Sequence, residues 1–156
     1  MKKILCIMFV CVLLNACSSS VKHLEMGKLP PAKYLYIQKV EHNASKEELT
    51  KVVTDEGNIR ETLKLLQGIE VKEMNGDKLM DSMKNKDTYM FCYYESKEAA
   101  EDMNQKNILF AFNIVGDGEV MIIHQGKISS LNTPLVSTEV HGKLLKKLKG
   151  ILGIDF

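Results

Sequence analysis

The stretch from Ile108 to Gln125 constrains the fold more than any other part of this chain. Ile108, Phe110, Phe112 and Ile114 alternate with Leu109, Ala111, Asn113 and Val115, a period of two that marks an extended strand. Gly116-Asp117-Gly118 follows and supplies residues able to reach positive φ in a tight turn. Glu119–Gln125 then returns, with Val120 and Ile122 on one side and Met121 and Ile123 on the other. A β-hairpin is predicted, and an isolated hairpin is marginal in water, so it needs a larger sheet to join. Tyr89-Met90-Phe91-Cys92-Tyr93-Tyr94 is apolar on both sides and rich in strand formers, which reads as a central strand of that sheet.

The other elements follow from shorter signals. Tyr34 to Val40 alternates as a strand does, and Lys51-Val52-Val53-Thr54 reads as extended. Between them, Ser45 with Glu48 three residues on matches a capping box. Thr54 or Asp55 caps a helix in which Ile59, Leu63 and Leu66 recur at helical spacing, and Gly68 ends it. Glu70 to Met74 reads as a short strand. Asn75-Gly76-Asp77 is a turn and cap before a short helix with Leu79, Met80 and Met83. Ser96 to Asn104 makes a short surface helix or a long connection, and Lys127 to Leu131 adds an edge strand. A last helix starts near Ser137 or Thr138, with Glu139 in its first turn. Leu144, Leu145, Leu148, Ile151 and Leu152 form its apolar stripe, and Lys143, Lys146, Lys147 and Lys149 lie largely opposite. The expected class is α+β: a mostly antiparallel sheet of about four to six strands with helices packed on one face.

The N-terminus carries an address. Lys2 and Lys3 precede an uncharged apolar run from Ile4 to Leu14, too short for the roughly 20 residues that span a bilayer. The run meets Leu14-Asn15-Ala16-Cys17, which resembles the lipobox of bacterial lipoproteins, with Leu14 and Ala16 fitting the pattern and Asn15 a less usual occupant. The resemblance implies a signal peptide over 1–16, cleavage before Cys17, and a diacylglyceryl group on the Cys17 thiol; an uncleaved anchor is the alternative. Residues 17–32 then read as the lipidated cysteine and a flexible tether, given three serines, a glycine and Pro30-Pro31. A partly ordered N-terminal arm is the other reading of that segment. Residues 33–156 form the single α+β domain.

Charge and cysteine content narrow the function. The chain has 21 basic and 20 acidic side chains; Lys2 and Lys3 leave with the signal, so the mature balance is 19 against 20. Arg60 is the only arginine. Such a chain has neither the field nor the forked donors of a nucleic-acid binder. Cys6 and Cys11 leave with the signal and lipid consumes Cys17, so Cys92 is left without a disulfide partner. Nothing in the motifs nominates a nucleophile, a metal set or a cofactor: GxSxG, GxxxxGK[ST], HExxH and CxxC are absent from the sequence. The candidate ligand or partner surface is Tyr89, Tyr93 and Tyr94, because tyrosine joins an apolar body to a polar tip. His124 joins them, at a strand end on the side of Val120 and Ile122; packing on the sheet is the default for all of these. The basic C-terminal helix is read as covering the sheet, with a membrane contact as its alternative.

In its lipobox, polar tether and α+β domain the chain resembles the small predicted lipoproteins of bacilli-type Gram-positive bacteria. That resemblance implies a lipid-anchored protein on the extracytoplasmic face of the cell membrane, non-catalytic and without cofactor. The expected role is a protein-interaction module in sensing, immunity or exclusion, with an envelope protein as partner. The alternative is a small-ligand or peptide binder using a concave sheet face.

Overall fold

The computed structural model describes residues 21–42, 44–84, 86–125, 128–129 and 134–156. The expected signal peptide over 1–16 and the expected lipidation at Cys17 fall outside the described residues.

Among the described residues nine strands make one antiparallel sheet: β1 (Lys22–His23), β2 (Tyr34–Glu41), β3 (Ala44–Val53), β4 (Glu70–Glu73), β5 (Thr88–Tyr94), β6 (Ile108–Val115), β7 (Glu119–Gln125), β8 (Ile128–Ser129) and β9 (Leu135–Ser137). Their order is β1-β4-β9-β7-β6-β5-β2-β3, and β8 pairs with β7 beside that path. The predicted hairpin is β6–β7, running from Val115 opposite Glu119 to Phe110 opposite Gln125. Gly116 and Gly118 both take positive φ in its turn. The expected central strand is β5, flanked by β6 and β2 and buried at every position but the half-buried Met90. The strand count exceeds the expected four to six. The unforeseen strands β1 and β9 are too short to carry a readable period, while β8 falls within the edge strand expected over Lys127 to Leu131.

Helices cover both faces, which corrects the expectation of one. On the first face lie α1 (Glu56–Leu66) and α4 (Leu144–Leu152). Their Ile59, Leu66, Leu144, Leu148 and Leu152 close over Leu35, Ile37, Phe91, Phe110, Phe112, Val120 and Ile122. Phe91 stacks on Phe112 at 4.7 Å between ring centres, the seam of this core. On the second face lie α2 (Gly76–Met83) and α3 (Lys97–Glu101). Leu79 of α2 packs with Val115, Met121 and Val136, and Ala99 and Ala100 of α3 pack with Tyr36, Cys92, Tyr94 and Ala111. The physical reason lies in β5 to β7: with apolar side chains at alternate positions on both sides, neither face of the sheet is stable in water.

Three local expectations are also corrected. The tether reading fails from Lys22 onward: Leu24 and Met26 are 2% and 6% exposed, within the first-face core. Here β1 pairs with β4, Leu24 N–H donates to Ile69 O, and Met26 N–H donates to Gln67 Oε1 at 2.8 Å. Burying those two side chains outweighs the flexibility that the serines and prolines suggested. The capping box at Ser45 is a strand, with Ser45 opposite Val40 and Lys51, Val52 and Val53 paired along β2. The ladder supplies more hydrogen bonds there than one helical turn does. Ser137 likewise ends β9, where its Oγ accepts from Val120 N–H at 3.0 Å and donates to Glu139 O. The last helix therefore begins at Leu144. Its apolar stripe packs as expected, and Gly153 closes it in the left-handed region at φ 61°.

Candidate functional site

The sequence-nominated residues are not brought together. Alternation along β5 sends Tyr89 and Tyr93 to the first core and Tyr94 to the second face. None is a surface group, at 6%, 1% and 1% exposure. Each hydroxyl with a resolved partner serves packing. Thr62 Oγ1 donates to Ile59 O, which leaves the Tyr93 hydroxyl as donor to Thr62 at 2.9 Å. Tyr89 Oη donates to Phe156 O at 2.9 Å and accepts from Lys149 Nζ at 3.0 Å. Lys149 Nζ also stands 4.8 Å from the Tyr89 ring centre, a cation–π contact.

His124 is displaced by a β-bulge. Phe112 pairs with Ile122, but Ala111 pairs with His124, leaving Ile123 as the extra residue. The bulge shifts the backbone register between Ile122 and His124 by one residue. Cys92 is packed under α3 between β2 and β6. Burial pushes its thiol up to about 12, with a weaker opposing effect from a hydrogen bond to Tyr94. It stays protonated at physiological pH, the opposite of an activated nucleophile. Among the described residues no group of three or more His, Cys, Asp or Glu side chains is placed to hold a metal ion, and no helix is long and apolar enough to cross a membrane.

What the fold does assemble is an apolar, methionine-rich layer on the second face. Met74 and Met83 pack around the α2 cluster and Met90 around the α3 cluster, while Ile123 touches both and so marks the seam between the two helices. Met121 lies beneath α2. Met80 on α2 is 64% exposed and Met103, just past α3, is 48% exposed. Val52 on β3 stands opposite Tyr36 in the ladder and is 40% exposed. Near the seam, buried Asn113 lies between Met90 and Met121 across the ladder, and its Oδ1 has no hydrogen-bond partner. An unpaired buried carbonyl costs about 1–3 kcal/mol, a cost no apolar core residue would bring.

The backbone at Met103 is unusual too. Asn104 N–H bonds Ala99 O and Met103 N–H bonds Ala100 O, the paired closure of a Schellman motif. Met103 thereby occupies the left-handed position at φ 46°, where glycine is customary and another residue costs about 1–2 kcal/mol. An exposed thioether is held in strain where a glycine would rest. Sequence reasoning passed over these groups, although the run of Met74, Met80, Met83, Met90 and Met103 was there to be read.

A groove lies on the first face, between the N-terminal arm and α1. Met26, Leu29, Pro30, Ile59 and Leu63 line this groove of about 370 Å³, with Arg60 on its rim. No protein-family model, no curated protein and no solved structure matches this chain significantly.

Proposed function

We propose that this protein is a lipid-anchored, extracytoplasmic lipoprotein whose domain is a non-catalytic protein-interaction module, and that the methionine-rich second face is its docking surface. The observation that carries the reading is Met103, an exposed methionine strained into the left-handed region on the same layer as exposed Met80. Thioether side chains are unbranched and polarisable, so they mould to a partner without a preformed pocket. Glu95, Glu98, Glu101 and Asp102 surround α3, so the partner chemistry that fits is an apolar side-chain patch ringed by lysine or arginine. A small-ligand reading is favoured by one observation, the apolar groove beside α1; with helices on both faces, an open concave sheet face does not support it.

Anchoring and docking are tested separately. Cys17→Ser is expected to release the protein from the membrane fraction or leave it as uncleaved precursor. If the substituted chain were cut and still fractionated with membrane, the lipidation reading would be wrong. For docking, a photo-reactive side chain at Lys97 in the anchored protein should give one discrete cross-linked adduct in cells. Met80→Glu with Met103→Glu should abolish that adduct while leaving the melting temperature within about 2 °C, since both side chains are exposed. Persistence of the adduct in the folded double variant would rule out this surface.

A further inference from the structure

The two helical layers carry opposite charge although the chain as a whole is near neutral. On the outer side of the first layer and at its helix ends, Arg60, Lys64, Lys143, Lys146 and Lys147 are exposed, set against Asp55, Glu56, Glu61 and Asp155. None of those five cations has an ion-pair partner among the described residues. The second layer differs. Asp77, Asp81, Glu95, Glu98, Glu101 and Asp102 outnumber Lys78, Lys84 and Lys97 there. Lys84 and Lys97 are moreover paired, to Asp81 at 2.8 Å and to Glu101 at 3.3 Å. The two helical layers therefore differ in charge across the sheet, with the unpaired positive side on α4.

We infer that the basic outer face of α4 rests on an anionic phospholipid bilayer, turning the acidic, methionine-rich layer away from the membrane. The packing of α4 decides the mode. Leu144, Leu148 and Leu152 are committed to the core, so this helix does not insert as an amphipathic anchor; the contact is electrostatic, between ammonium groups and lipid phosphates. Chain length brings the surface within range. With Leu24 and Met26 buried, the folded domain begins no later than Lys22. Cys17 stands four residues before Val21, a span of at most about 14 Å when fully extended. A charged membrane surface acts over about 8 Å at physiological salt, so a lipid on Cys17 would hold Val21 within about two such lengths of the bilayer. This orientation rests on the lipid-anchor reading, whereas the charge asymmetry stands without it.

Both cores are built from residues between Leu24 and Ile154, so the unlipidated chain from Ser18 to Phe156 retains all of their side chains. That chain is expected to sediment with vesicles of phosphatidylglycerol and phosphatidylcholine, to ignore pure phosphatidylcholine, and to dissociate as salt rises. Changing Lys143, Lys146 and Lys147 together to Gln should weaken binding about a hundred-fold, near five-fold for each charge. The same number of charges removed from the second layer, as Lys78, Lys84 and Lys97 to Gln, should change it less than about two-fold. A melting curve matching the parent shows that each variant is folded. Equal loss in both triple variants would reduce the effect to net charge and overturn the proposal, as would absence of binding by the parent at low salt. Because no lipid is attached, either result is independent of the Cys17→Ser fractionation, which alone decides the anchor.

Discussion

Gly118→Val is expected to destabilise the fold by about 2–5 kcal/mol. The hairpin turn holds Gly118 at φ 120°, a region that side chains with a Cβ scarcely enter. Space is denied as well. A Cβ there would stand 2.6 Å from the carbonyl carbon of His141 and 2.7 Å from its oxygen, and both are backbone atoms that cannot swing aside. The approach is close because Gly118 O accepts from His141 N–H at 2.9 Å, pinning the hairpin turn to the segment that leads into α4. Conformational strain contributes about 1–3 kcal/mol and the forced displacement of His141 a similar amount. Gly116→Ala is the control. Its φ of 52° is also left-handed, but its nearest neighbour is the flexible end of Lys86 at 3.2 Å, so about 1 kcal/mol is expected. Denaturant midpoints with unchanged slope measure both. A Gly118→Val midpoint at or above that of Gly116→Ala would show that the turn does not carry this contact.

Leu148→Ala is expected to cost about 2–5 kcal/mol, toward the upper end because Leu148 is fully buried. It occupies the centre of the stripe, with buried Leu144 and Leu152 one turn to either side. α1 packs alongside it, so the void left by three carbons has little freedom to collapse. Lys146→Gln on the opposite side of the same helix should change stability by less than about 0.5 kcal/mol. The pair separates stability from membrane contact within one element: the leucine moves the melting temperature, the lysines move vesicle binding. An unchanged melting point for Leu148→Ala would mean that the stripe is not core.

Legibility followed the range of each signal. The cap of α1 was readable because Asp55 and the amide it accepts from, Asn58 N–H at 2.8 Å, are near neighbours in the chain. Asn75 at the start of α2 and Ser96 at the start of α3 are equally local. The candidate site was much less legible. Tyr89, Tyr93 and Tyr94 had the composition of a binding surface, yet a central strand covered on both faces leaves no tyrosine of it exposed. Met80 and Met103 had helical neighbours suited to a core, but Met80 lies on the outer side of α2 and Met103 in the left-handed turn past α3, and both are exposed.

The residues in order determined the strands and helices whose instructions lie within about one element's length: period two from Ile108 to Val115, two glycines to turn it, and a leucine stripe from Leu144 to Leu152. Tertiary structure alone decided what depends on partners far along the chain. β1 exists because Lys22 and His23 meet Val71 and Glu70, almost fifty residues on, and Leu24 is core because that pairing lays it against Ile69. The bulge at Ile123 shifts His124 in register, and no alternation pattern announces an inserted residue. The separation of charge into a basic and an acidic layer is of the same kind. Local sequence sets which side of a helix is polar; which face of the sheet that helix covers is decided by the distant apolar residues it must bury.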